Sequence, residues 1–199
     1  MSQINRIDGG LIDQEKVLNF TFNGQILKGY EGDTLASALL ANNKHLIGRS
    51  FKYHRPRGIV TAGSEEPNAI MEIGNRAYKD PNTRATVTQL YNGLEANSQN
   101  HKGPLSFDFM AITDFLSPLL GAGFYYKTFM WPKAFWEKFY EPAIRKSAGL
   151  GTLSTEADPD SYDKGFRHCD ILIIGAGASG LSAALTAAGS GAKIILADE

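Results

Sequence analysis

The chain has 199 residues, 43% hydrophobic and 21% charged, which supports one or two packed domains and excludes wholesale disorder. A net charge of −1 provides no overall field for nucleic acid. Cys169 is the only cysteine, so a disulfide framework, a Cys-ligated iron–sulfur cluster and a Cys-based zinc site are excluded within the chain.

Residues 1–16 are polar, lack the apolar core of a signal peptide and read as an arm. Val17 to Phe22 alternates as a half-buried strand does, Asn23-Gly24 is a hairpin turn signal, and Gln25 to Tyr30 is the returning strand. Asp33 is placed to cap a helix whose apolar face is Leu35, Ala38, Leu39 and Ala41. Hairpin followed by helix is the opening of a β-grasp fold. The segment FNGQILKGYEGDTLASALLANN resembles the start of plant-type ferredoxin-like domains, in which the next loop carries cysteines for a 2Fe–2S cluster. Here that loop has none.

Instead the loop carries Arg49, Lys52, His54, Arg55 and Arg57 within nine residues, with Phe51 and Tyr53 between them. Two readings stand: a clamp for an anion or an acidic partner, and a solvated basic loop paired with Glu65 and Glu66. Single-stranded nucleic acid is disfavoured, because the patch is short and the chain is neutral. Ala69 to Ile73 and Arg84 to Tyr91 read as strands completing a small sheet, and Asn92 to Gly103 as a polar loop.

Nine aromatics fall within the 17 residues from Phe124 to Tyr140, and Pro118, Pro132 and Pro142 cut this region into short helical pieces. The uncharged run Phe115 to Tyr126 is 12 residues and contains Pro118, so no membrane span is expected. The aromatics suit either the chain's own core or a partner's surface. A polar linker, Ser154 to Lys164, follows. His168 and Cys169 are adjacent, but they alternate to opposite faces at a strand entrance, which favours structure over catalysis.

The last stretch carries the clearest chemistry. Ile171 to Ile174, then Gly175, Ala176, Gly177, Ala178, Ser179 and Gly180, then an Ala-rich helix, then Lys193 to Ala197 form one β-α-β unit. Gly175 allows the sharp turn, Gly177 lets a pyrophosphate approach the backbone, and Gly180 lets helix and strand lie close. The helix start offers unpaired N–H groups to phosphate. Asp198, with Glu199 second, lies 23 residues after Gly175, near the ~20-residue spacing of a ribose-binding acid. These residues do not choose between NAD and FAD. A single β-α-β is the first piece of a doubly wound sheet, so a longer or split protein is expected.

The stretches GDTLASALLAN, GRSFKYHRPRGI, AGSEEPNA, GFYYKTFMWP, FWEKFYEPAIRKSAGLG and CDILIIGAGASGLSAAL together resemble the alpha subunits of heterotetrameric sarcosine oxidases. Amine and opine dehydrogenases and cyanide-forming glycine oxidases share parts of the pattern, and a non-catalytic docking module is a further alternative. The resemblance implies a cluster-less ferredoxin-like β-grasp domain at 17–103, an aromatic-rich arm and linker at 104–165, and the start of a Rossmann-type FAD/NAD(P)-binding domain from 166. It implies NAD as cofactor with FAD as the alternative. FAD and FMN are expected in or at a beta subunit, and tetrahydrofolate in a C-terminal part outside this chain. It implies beta, gamma and delta partners, a cytoplasmic location, no metal, and no catalytic residue within these 199 positions.

Overall fold

The computed structural model describes residues 3–7, 9–123, 131–147, 149 and 151–198. They divide into two compact units, Met1–Asp158 and Pro159–Glu199.

In the first unit, β1 (Asp13–Phe22) and β2 (Gln25–Glu31) form the expected hairpin. Asn23 and Gly24 both have positive φ, 50° and 75°, as a two-residue turn matched to strand twist requires. β1 starts at Asp13, inside the stretch read as an arm. Lys16 holds this extension to β2 through Glu31 (Nζ to Oε2, 2.7 Å).

Helix α1 (Leu35–Ala41) is capped by Thr34, not by Asp33. Thr34 Oγ1 accepts from the Ser37 N–H at 3.2 Å, and Ser37 Oγ accepts from the Thr34 N–H at 3.0 Å, which is a reciprocal capping box. Asp33 is unavailable because it is turned inward and spoken for. Its carboxylate accepts from Arg6 (3.2 and 2.6 Å), from the Tyr30 N–H (2.9 Å) and from Ser37 Oγ (2.6 Å). Arg6 also lies over the Tyr30 ring at 4.9 Å, so the N-terminal segment is fastened to the hairpin and the helix.

The sheet has the order β2-β1-β7-β5-β6, with β5 at Ile70–Ile73, β6 at Asp80–Arg84 and β7 at Glu95–Ser98. β7 runs parallel to β1 and antiparallel to β5, in the middle of the sheet. This corrects two expectations. The strand expected at Arg84 to Tyr91 ends at Arg84, and the polar segment after it contains the central strand. Residues beyond Arg84 turn because their carbonyls serve α1: Ala85 O accepts from the Ala36 N–H and Thr88 O from the Leu35 N–H. β7 reads Glu-Ala-Asn-Ser, and Ala96 alone in it is fully buried, so it leaves no alternating apolar signal. Phe20, Leu27, Leu35, Leu39, Met71 and Leu94 form the core between sheet and helix.

Beyond the sheet come short helical pieces: Phe109–Ala111, α2 (Ile112–Phe115), Ser117–Leu120, Lys133–Phe135, Trp136–Tyr140 and α3 (Glu141–Ser147). Pro118 and Pro132 stand at the starts of their pieces as expected, whereas Pro142 makes no break: it lies in the first turn of α3, where a missing N–H costs nothing. Trp131, Phe135 and Phe139 are exposed and so contribute nothing to the core of this unit. Phe124, Tyr125, Tyr126 and Phe129 lie outside the described residues. No helix among the described residues is long and apolar enough to cross a membrane.

The second unit contains β8 (Ile171–Ile174), α4 (Ala178–Ala188) and β9 (Ile194–Ala197), with the two strands parallel. This is the expected β-α-β unit.

Glu66 shows what holds the loops of the first unit. It is fully buried, and its carboxylate accepts from the N–H groups of Val60, Thr61, Asn68 and Ala69 and from the Thr61 hydroxyl. Burial pushes its pKa up, but the hydrogen bonds from Thr61, Asn68 and Val60 overcome this and hold it below the ordinary carboxylate value. The folded state therefore resists protonation. The stabilisation is complete above the unfolded carboxylate pKa of about 4 and is lost as pH falls through the lower folded value. Glu66→Gln should cost about 2–3 kcal/mol at pH 7, because an amide cannot satisfy the same donors. Urea unfolding should show the gap to wild type narrowing below about pH 4.

Candidate functional site

In the parallel pair, Ile171 lies opposite Ile194 and Ile174 opposite Ala197. Both strands therefore deliver their C-terminal ends to one edge. Gly175 and Asp198 leave the sheet as neighbours, and the Gly175 N–H donates to Ala197 O at 2.7 Å. The sequence placed these residues 23 apart, and the register brings them together. At the other edge, Asp170 Oδ2 accepts from the Lys193 N–H at 2.8 Å and fixes the entry to β9.

The three glycines do different work. Gly175 has φ +97°, a conformation that side chains strain. Gly180 lies so near the strand exit that a Cβ there would overlap the Gly175 carbonyl oxygen. Gly177 is the N-cap of α4, with no side chain capping it and nothing within 4 Å of where its Cβ would lie. The first N–H groups of this 11-residue helix, at Ala178, Ser179 and Gly180, have no intrahelical partner, and the space in front of Gly177 is clear. A helix start preceded by a glycine turn is the kind of place where backbone N–H groups can meet an anion, and Asp198 stands at the same edge. Glu199 lies outside the described residues.

The basic loop is used differently. Arg49 donates to three main-chain carbonyls: Leu105 O (3.0 and 2.8 Å), His54 O (3.2 Å) and Ser106 O (3.1 Å). Arg55 pairs with Asp114 at 2.7 Å and lies over Tyr53 at 4.8 Å, and Lys52 approaches the same ring at 4.8 Å. Arg57 is exposed, in the two-residue strand β4 (Pro56–Arg57), which pairs with β3 (Gly48–Arg49). His54 has φ +54° and is buried, its Nδ1 2.6 Å from Asp108 Oδ2. Glu66 serves backbone donors, and His54 and Arg55 pair instead with Asp108 and Asp114.

Asp108 is the participant that sequence reasoning missed. It also accepts from the N–H groups of Lys102 and Met110. Burial pushes its pKa up, but those two N–H groups and His54 together bring it below the ordinary value. Its spacing of 54 residues from His54 leaves no local signal.

Residues 15–101 match a family described as a 2Fe-2S iron-sulfur cluster binding domain, and residues 170–199 match one described as an FAD binding domain. The first stretch contains no cysteine, so its donor set does not suit a thiolate-held cluster. Among the described residues no three His, Cys, Asp or Glu side chains gather in a metal-holding group. The second stretch contains the glycine turn, Gly175 to Gly180.

The chain is 62% identical over 190 residues to a sarcosine oxidase subunit alpha of Rhizobium meliloti (strain 1021), covering 96% of this chain and 19% of that protein. It is 34% identical over 194 residues to a sarcosine oxidase subunit alpha of Corynebacterium sp. (strain U-96), covering 96% of this chain and 15% of that one. Among solved structures, L-proline dehydrogenase from P. horikoshii superposes with a TM-score of 0.45 at 20% identity, over 92% of this chain and 25% of that one. The chain thus spans under a fifth of the length of the curated relatives it matches, and it is homologous to the N-terminal region of sarcosine oxidase subunit alpha. The fold is a ferredoxin-like domain without cluster cysteines followed by the start of an FAD-binding domain.

The glycine roles can be separated by substitution. Gly180→Val collides with backbone and should speed amide hydrogen exchange in β8 by roughly tenfold or more, whereas Gly177→Val should leave it within about twofold.

Proposed function

We propose that this chain is the N-terminal, nucleotide-binding and assembly portion of a sarcosine oxidase alpha subunit. The observation that carries the proposal is the 62% identity extending across both the ferredoxin-like domain and the glycine turn. In the whole complex, sarcosine would be oxidised and demethylated to glycine, oxygen reduced to peroxide and the one-carbon unit passed to tetrahydrofolate. Beta, gamma and delta subunits would complete the assembly in the cytoplasm. FAD and FMN would lie in or against the beta subunit, and the folate site in the remainder of alpha.

The contribution of this chain is binding. The N–H groups at Ala178, Ser179 and Gly180 would hold the pyrophosphate of an ADP-containing dinucleotide, with Gly177 giving it room and Asp198 accepting from the ribose; Glu199 would be a second acceptor. Bound there, a dinucleotide supplies redox chemistry that no side chain can. The family match of residues 170–199 supports FAD, and NAD is the alternative, which separate titrations with the two dinucleotides distinguish. Catalytic groups for amine oxidation would come from outside these residues. The exposed Trp131, Phe135 and Phe139 suit a covered surface in such an assembly.

The test is to recover the assembly from the native host through the tagged chain and assay sarcosine-dependent peroxide beside the purified chain alone. The expected result is turnover by the assembly and none by the isolated chain. An assembly inert toward sarcosine, or turnover by the lone chain, would refute the proposal.

A further inference from the structure

The first unit carries an open cleft of about 620 Å³, within the size range of small-molecule sites. Its walls include residues 98–102, helix α3 with Arg145 and Lys146, and the stretch at Gly149, Gly151 and Thr152. Gly149 and Gly151 both have φ +68°. A Cβ at Gly149 would lie 2.6 Å from Asn100 Oδ1, and one at Gly151 would strike Pro81. Two glycines thus let the chain lie directly against the opposite wall.

The charge of this cleft is one-sided. Lys102, Arg145 and Lys146 line it, and neither lysine forms an ion pair among the described residues. Glu72 is the only carboxylate among the described lining residues, and Lys79 neutralises it at 2.6 Å. Arg145 uses Nε and Nη2 on Glu141 Oε1 and keeps its other donors. His54 is 7% exposed and lines the same cleft. Asp108 holds its Nδ1 at 2.6 Å, which leaves Nε2 without a partner among the described residues. His101 is a wall only, since its ring nitrogens meet Ser98 Oγ and Gly103 O.

We propose that this cleft binds the phosphoryl end of a small-molecule ligand, with Lys102 and Lys146 balancing its charge, the remaining donors of Arg145 on its oxygens, and His54 Nε2 accepting from a protonated phosphoryl oxygen. Two lysines outside any ion pair among the described residues, the remaining donors of Arg145 and an oriented imidazole suit a group carrying about −1.5 to −2 charge better than they suit a carboxylate. The volume leaves room for the rest of the ligand. The site lies in a different unit from the glycine turn and does not depend on it.

Titration of the 199-residue chain with inorganic phosphate at fixed ionic strength, followed by amide and histidine-ring NMR, is the test. Amides of residues 99–102 and 151–152 and the His54 ring should shift. The double variant Lys102→Ala/Lys146→Ala changes only exposed side chains, so its fold should persist. It should weaken phosphate binding at this site by roughly tenfold while leaving any response of residues 175–180 unchanged. Shifts confined to residues 175–180, or equal affinity in the double variant, would overturn the proposal.

Discussion

The approach of α4 to the end of β8 is the contact on which the glycine turn, and with it the proposed nucleotide site, depends. At Gly180 the helix backbone comes so near the Gly175 carbonyl that no side chain fits between them. That contact fixes where the helix begins, and so where its unpaired N–H groups point. With Gly177 leaving the space in front open, the proposed diphosphate site would need no rearrangement of this turn. The parallel register adds Asp198 at the same edge, so turn, helix start and acid come from one constraint on one short segment.

The first unit follows another logic. It keeps the sheet and helix of a cluster-binding domain but lacks the thiolates. The loop in their place is occupied by polar bonds across the chain. Arg49 binds the carbonyls of Leu105 and Ser106, His54 meets Asp108, and Arg55 meets Asp114. Charge that reads in sequence as a ligand clamp is largely spent on fastening the following segment to the domain. Asp33 and Glu66 follow the same pattern, each buried and each satisfied by several donors. These polar anchors stabilise loops that the small apolar core does not reach.

What could be read from sequence was local. The Asn23-Gly24 turn, the apolar face of α1 and the β-α-β unit each rest on residues within a few positions of one another, and each stands where the pattern placed it. What could not be read was tertiary. β7 is central yet polar, because Ala96 alone in it is fully buried against the core. Residues after Arg84 look like a strand, yet their carbonyls are needed by the first turn of α1. Asp33 looks like a cap until Arg6, far away in sequence, claims it. Asp108 was invisible for the same reason, and with it the orientation of His54. The glycine turn was legible because its residues are contiguous, and the cleft of the first unit was not, because its walls come from five separated stretches, at 54, 72, 98–102, 110 and 142–152.

The central claim is that the glycine turn of this chain holds an ADP-containing dinucleotide. Separate titrations with FAD and NAD, following the amides of Gly175 to Gly180 by NMR, test it most directly. The account predicts saturable shifts of these amides with at least one of the two and loss of the response in Gly177→Val, with the tighter-binding ligand naming the cofactor. No response of these amides to either dinucleotide, or an undiminished response in Gly177→Val, would contradict it.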